Sequence, residues 1–173
     1  AQKNTGTHSK TVTVPEVFVE AITDNGLTLG LSWIPTRDMG SKSRSDTNGG
    51  GDTGTYTAKA ELKNVAQLYT DIPIYGGSYP VHLKLGVQHV TLATLESLNS
   101  GSTYPDADLM GLTVGIGPKG DMPFVANDSI YYKLEATYTD FESYSSDSDG
   151  STGNKVEADL EDTAVKLSIG YKF

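Results

Sequence analysis

The chain has 173 residues, a formal charge of −9, no cysteine, 36% hydrophobic residues and fifteen aromatics, ten of them Tyr. Missing cysteine excludes disulfides and thiolate metal sites, and an acidic chain without a Lys/Arg cluster argues against nucleic acid as a partner. The length fits one domain spanning residues 1–173, and the apolar runs fall far short of the roughly 20 residues of a membrane-spanning helix.

Residues 1–14 read as a polar N-terminal segment or the remnant of an outer loop, and "AQKN" fits a terminus left by signal removal. Period-2 alternation then dominates, and seven strand segments are expected. In the first, "TVTVPEVFVEAI", Val17, Val19 and Ala21 oppose Glu16 and Glu20, with Phe18 and Ile22 on the polar side. "DNG" at residues 24–26 predicts a type I′ hairpin turn. The second strand sets Leu27, Leu29, Leu31 and Trp33 against Thr28, Gly30 and Ser32, and "TRDMGSKSRSDTNGGGDTG" follows as a long loop.

The third strand keeps one parity throughout, with Tyr56, Ala58, Ala60, Leu62, Ala66, Leu68 and Ile72 opposite Thr57, Lys59, Glu61, Lys63 and Gln67. The fourth places Tyr79, Val81, Leu83, Leu85 and Val87 opposite His82, Lys84, Gly86 and Gln88. The best helical window, "ATLESLN", is short. The fifth strand opposes Met110, Leu112, Val114 and Ile116 to Gly111, Thr113, Gly115 and Gly117. In the sixth, Ile130, Tyr132, Leu134, Ala136 and Tyr138 oppose Lys133, Glu135, Thr137 and Thr139. The last sets Val165, Leu167, Ile169, Tyr171 and Phe173 against Ala164, Lys166, Ser168, Gly170 and Lys172.

Connections alternate short and long, so a meander gathers its long loops at one end and its tight turns at the other, as outer-membrane barrels do. Alternation leaves two architectures open. A soluble barrel turns its apolar face inward, whereas a membrane barrel turns it to lipid and fills a narrow lumen with polar side chains. The aromatics favour the second. Tyr79, Tyr132, Tyr171 and Phe173 fall near the tight-turn end and Trp33, Tyr56 and Tyr138 near the long-loop end, as interfacial girdles do. The expected lumen set is Lys59, Glu61, Lys63, His82, Lys84, Lys133, Glu135 and Lys166, with glycines making room for the charges.

The terminal "VKLSIGYKF" resembles the C-terminal sorting strand of Gram-negative outer-membrane barrels, and the chain from residue 11 onward resembles the small OmpA-like or opacity-type superfamily. The resemblance implies an all-β, up-and-down antiparallel transmembrane barrel of eight strands, in contact with outer-membrane lipid after delivery by the barrel-assembly machinery. Seven strands depart from the even count of bacterial single-chain barrels. The eighth is expected either upstream in the chain or from another chain.

No catalytic constellation or cofactor site emerges. His8, His82 and His89 do not form a nucleophilic triad, and "GIGPKG" lacks the strand-to-helix context of a phosphate loop. Asp147 and Asp149 in "DSDGSTG" resemble the opening of a calcium loop, but Ala158 stands where the bidentate Glu belongs. Residues 140–163 carry eight acidic groups against Lys155 alone, which reads as a solvated loop or a weak cation site. The expected role is non-enzymatic, structural or surface-binding through the long loops. A narrow channel and a soluble lipid-binding barrel are the alternatives.

Overall fold

The computed structural model describes residues 6–46, 54–76, 80–96, 103–122, 129–147 and 155–172. Ten strands follow in order: β1 (Val17–Ile22), β2 (Thr28–Ile34), β3 (Arg37–Asp46), β4 (Gly54–Tyr75), β5 (Val81–Thr94), β6 (Ala107–Asp121), β7 (Ile130–Phe141), β8 (Tyr144–Asp147), β9 (Lys155–Ala158) and β10 (Glu161–Tyr171). The fold is all-β. One antiparallel sheet runs β1-β2-β4-β5-β6-β7-β10 with β3 also on β4, and it curls into a half-barrel; β8 and β9 form a separate hairpin.

Every step along the sheet is antiparallel, as strands joined in a meander dictate. Among the described residues β1 and β10 do not pair, so the sheet has two free edges where a closed barrel was expected.

The convex face is apolar and exposed. Pairing places Val19 beside Leu31, Leu31 beside Leu68, Leu68 beside Val87 and Val87 beside Leu112. Val114 beside Tyr138 and Ile116 beside Ala136 carry the band onto β7, and Leu134 beside Leu167 carries it onto β10. The most exposed members are Leu112 at 69% and, on β10, Val165 at 80%, Leu167 at 75% and Ile169 at 65%. The concave face is polar and buried: Gln67, Asp71, His82, Lys84, Thr113, Lys133, Glu135 and Thr139 lie on it.

Toward the long-loop end the concave face changes character. Ile34, Leu62, Val65, Val90, Leu92, Leu109, Phe141, Tyr144 and Leu160 form a buried apolar cluster, onto which Val14 and Met39 pack. An ionic layer therefore lies below an apolar plug.

Four local expectations are corrected. The segment expected as a loop after Trp33 contains β3, which pairs with β4 from Arg37↔Leu62 to Asp46↔Gly54. Its Ser- and Gly-rich sequence hides the strand because pairing, not side-chain pattern, holds it. The window "ATLESLN" begins as strand, since β5 continues to Thr94. The turn after β1 is a three-residue loop: Gly26 alone has positive φ, its N–H donates to the Thr23 carbonyl, and the Thr23 N–H donates to Leu27. That is a type I turn followed by a left-handed Gly.

The fourth correction concerns β4. Asn64 takes φ 52°, and the register with β5 shifts between Lys63 and Ala66. A bulge of this kind inserts a residue and reverses the alternation beyond it. Below it Ala66 and Leu68 face outward; above it Leu62 is in the buried cluster and Ala60 packs on it. Parity therefore puts Tyr56 and Ala58 on the side of Leu62, and Lys59, Glu61 and Lys63 on the opposite one.

Candidate functional site

The centre of the concave face holds three carboxylates and three ammonium groups. Glu20 comes from β1, Asp71 from β4, Lys84 from β5, Lys119 from β6, and Lys133 and Glu135 from β7. Glu20 is the junction. Its Oε1 accepts from Lys133 Nζ at 2.6 Å and from the Tyr69 hydroxyl at 2.7 Å, while Oε2 accepts from Lys119 Nζ at 2.7 Å and the Tyr131 hydroxyl at 2.9 Å. Lys84 Nζ lies 2.9 Å from Glu135 Oε1 and 3.7 Å from Asp71 Oδ1. Lys133 also reaches Asp71 at 3.3 Å.

Aromatic rings brace the ammonium groups. Lys84 Nζ stands 3.6 Å from the Tyr69 ring centroid, and Lys133 Nζ 5.1 Å from that of Phe18. The rings find room where facing strands carry glycine. A Cβ at Gly30 would lie 2.3 Å from the Tyr69 ring, and one at Gly170 would lie 2.2 Å from that of Tyr131. These glycines make room for tyrosine rings, where the sequence had suggested room for charges.

Asp71, His82 and Glu135 present ligand atoms within 4.8 Å of one another. Three ligands of this type suit a divalent ion in composition. The electrostatics oppose it, because Lys84 already lies between Asp71 and Glu135 and the three ammonium groups balance the three carboxylates. An added divalent ion would bring uncompensated charge into a buried site. His82 Nε2 lies 3.0 Å from Glu135 Oε1 and completes the cluster.

Of the lumen residues expected from sequence, His82, Lys84, Lys133 and Glu135 meet in this cluster. Lys166 lies on the same face but pairs with Glu16 at 2.9 Å, away from the centre. Lys59 and Glu61 pair with each other at 2.8 Å beside Asp38, and Lys63 stands on their side of the sheet, because the Asn64 bulge turned that stretch over. There the Gly40 N–H donates to Asp38 at 2.6 Å and, helped by Lys10 and Lys59, holds its carboxyl below the usual range. The Glu61 carboxylate raises the Lys59 ammonium correspondingly.

Trp33 and Tyr138 are exposed on the convex face, Tyr171 is exposed and Tyr132 half-buried toward the tight-turn end, and Tyr56 shares the parity of the plug. Tyr79, Phe173 and Asp149 lie outside the described residues, and Asp147 is an exposed end residue of β8 opposite Lys155.

No family model, curated protein or solved structure matches this chain.

Glu20, Asp71, Lys119, Tyr69 and Tyr131 were missed by sequence reasoning. Glu20 shares its parity with Phe18 and Ile22, which blurred the phase of β1, and the alternation expected for the fifth strand stops at Gly117, short of Lys119, although β6 runs on to Asp121. Asp71 and Tyr69 carried a usable signal, since they alternate with Leu68 and Ile72. At the tight-turn mouth a cavity of about 220 Å³, bounded by Ile22, Pro73, Val81, His82, Lys119 and Tyr131, leads toward the cluster.

Proposed function

We propose that this chain is a non-enzymatic outer-membrane β-barrel, embedded by its convex face, with a structural role or a surface-interaction role exercised through the long-loop end. The observation that carries the reading is the inversion of faces. Leu31, Leu112, Val114, Val165 and Leu167 are exposed around the outside, while Lys84, Lys133 and Glu135 are buried at 2% or less within. Water favours the opposite arrangement, and a hydrocarbon solvent favours this one. β5, β6, β7 and β10, of 14, 15, 12 and 11 residues, are long enough to cross a bilayer, for which about 9–11 suffice.

Outer-membrane lipid is the partner of the convex face, and the barrel-assembly machinery is the one implied by the terminal strand. The test is refolding with and without detergent micelles, followed by gel migration before and after boiling. A detergent-dependent fold with heat-modifiable migration supports the proposal. A monodisperse β-protein in plain buffer overturns it.

The channel alternative is disfavoured by the interior, where ion-paired side chains lie below an apolar plug. Planar-bilayer recordings without discrete openings agree with a closed interior; stable unitary currents would restore the channel reading. A soluble lipid carrier would need an apolar cavity at its centre, where this chain has its charges.

A further inference from the structure

Two prolines oppose each other where β1 ends. The register of β1 with β2 runs from Ile22↔Thr28 to Val17↔Trp33, and two further steps set Pro15 opposite Pro35. Antiparallel rungs alternate between pairs that exchange both main-chain hydrogen bonds and pairs that exchange none. The turn decides which rungs are bonded. The Thr23 N–H donates to the Leu27 carbonyl at 2.9 Å, so bonded rungs recur every second residue, through Ala21 with Leu29 and Val17 with Trp33, and reach Pro15 with Pro35. Each proline lacks the N–H that the other's carbonyl would accept.

The loss falls on one side of each strand. β2 passes into β3 along β4 in an unbroken register, from Ile34↔Val65 to Arg37↔Leu62. Pro35 therefore turns its missing donor toward β1 and spares the β4 ladder. On the other side the ladder stops: β1 begins only at Val17, and among the described residues no backbone hydrogen bond joins residues 6–14 to β3.

Residues 6–14 nevertheless run beside β3. A Cβ on Gly40 would lie 2.7 Å from His8 Nε2, Lys10 Nζ is 3.4 Å from Asp38 Oδ2, and Val14 packs on the apolar plug. Beyond the proline, Glu16 is held by Lys166 at 2.9 Å. From Gly6 to Thr13 every residue is exposed. The Lys10 to Asp38 pair is open to water on both sides and adds little, which leaves Val14 as the main hold.

We propose that residues 6–14 are a strap hinged at Pro15, which closes the flank of the apolar plug beside β3 and is kept from zipping onto that strand by the Pro15/Pro35 rung. Release of the strap withdraws Val14 from the plug. Glu16 stays with Lys166, and β1 stays in the sheet. A segment with an N–H at both proline positions would instead continue β1 along the free edge of β3 as one long strand. The device holds whichever solvent meets the convex face.

The test compares the natural full chain with the double variant Pro15→Val and Pro35→Val, in the medium in which the chain folds. Valine restores both donors and suits a strand. Amide hydrogen exchange is expected to be fast throughout residues 7–14 of the natural chain. In the variant, alternate amides of that stretch are expected to slow at least about tenfold, with β6 equally protected in both. Brief native-state digestion with trypsin reads the strap separately: cleavage after Lys10 is expected in the natural chain and at least about tenfold more slowly in the variant.

Slow alternate amides in the natural chain overturn the proposal, since the strap is then already zipped. Amides as fast in the variant as in the natural chain overturn the role of the prolines. Equal cleavage rates after Lys10 overturn the release. If the double variant loses β6 protection, Pro15→Val alone restores one of the two donors and is judged by the same two readouts.

Discussion

Lys133 Nζ and Glu20 Oε1 lie 2.6 Å apart across the concave face, although 113 residues separate them in the chain. This contact joins β7 to β1, which are not neighbours in the sheet. It therefore ties the curl of the sheet to a single carboxylate that also serves Lys119, Tyr69 and Tyr131.

Glu20→Ala takes the shortest acceptor from Lys133 and Lys119, which keep Asp71 at 3.3 and 3.5 Å, and removes the carboxylate that accepts from the Tyr69 and Tyr131 hydroxyls. Breaking a buried pair by removing one partner costs about 3–5 kcal/mol, and that loss is expected in equilibrium denaturant unfolding of the micelle-refolded chain. The double replacement Glu20→Met with Lys133→Met removes both charges and is expected to recover much of it. A double variant no better than Glu20→Ala would mean that the rest of the cluster depends on Glu20 itself.

Leu112 is the sharpest probe of the outer face. In water an exposed Leu112→Arg change stays within about 0.5 kcal/mol. Near the midplane of a bilayer the same change costs about 2–4 kcal/mol. Unfolding from lipid vesicles compared with that of Asp108→Arg, on the same face of β6 but nearer its long-loop end, gives the depth dependence; equal effects at both positions would count against a lipid-facing band.

Asn64 tests the bulge. Its left-handed backbone suits Asn or Gly, so Asn64→Gly is expected to be near neutral and Asn64→Val to cost about 1–2 kcal/mol. Deleting the residue is expected to cost less than Asn64→Val, since it removes the bulge yet leaves Leu62 and Val65 on the plug side and Lys59 and Glu61 on the other. Thermal unfolding and near-UV circular dichroism separate the two outcomes.

Asp38 gives a pH prediction. The Gly40 N–H bond lowers its pKa in the folded chain. Its contribution is therefore fully present above the ordinary Asp value of about 4 and is lost as pH falls through the lower folded value. Exchange at the Gly40 amide is expected to quicken in that acid window beyond its intrinsic pH dependence. In Asp38→Asn this additional change should vanish.

The convex face was legible in β2, β6, β7 and β10, where strict alternation of Leu, Val and Ile with Gly, Thr, Lys or Ser leaves one consistent phase. It failed in β4, because a single Asn in a left-handed conformation carries almost no sequence signal and yet reassigns every side chain above it. β3 was invisible for a related reason: its partner supplies the hydrogen bonds, and Ser43 and Ser45 pair with threonines of β4 without any hydrophobic period. Half of the ionic cluster was within reach, since His82, Lys84, Lys133 and Glu135 sit mid-strand on polar parities. Their partners were not, because nothing in a linear sequence says that Glu20 and Asp71 converge on the same ammonium groups.

The balance of charges inside has an outward consequence. Three carboxylates and three ammonium groups cancel within the cluster, so the formal −9 resides elsewhere, much of it on Asp140, Glu142, Asp147, Glu157, Asp159, Glu161 and Asp162 at the long-loop end. Two copies brought end to end by those rims repel across roughly a Debye length of 8–10 Å, while two copies brought flank to flank meet through an uncharged aliphatic belt. Crowded together, such molecules tile a plane and resist stacking into columns.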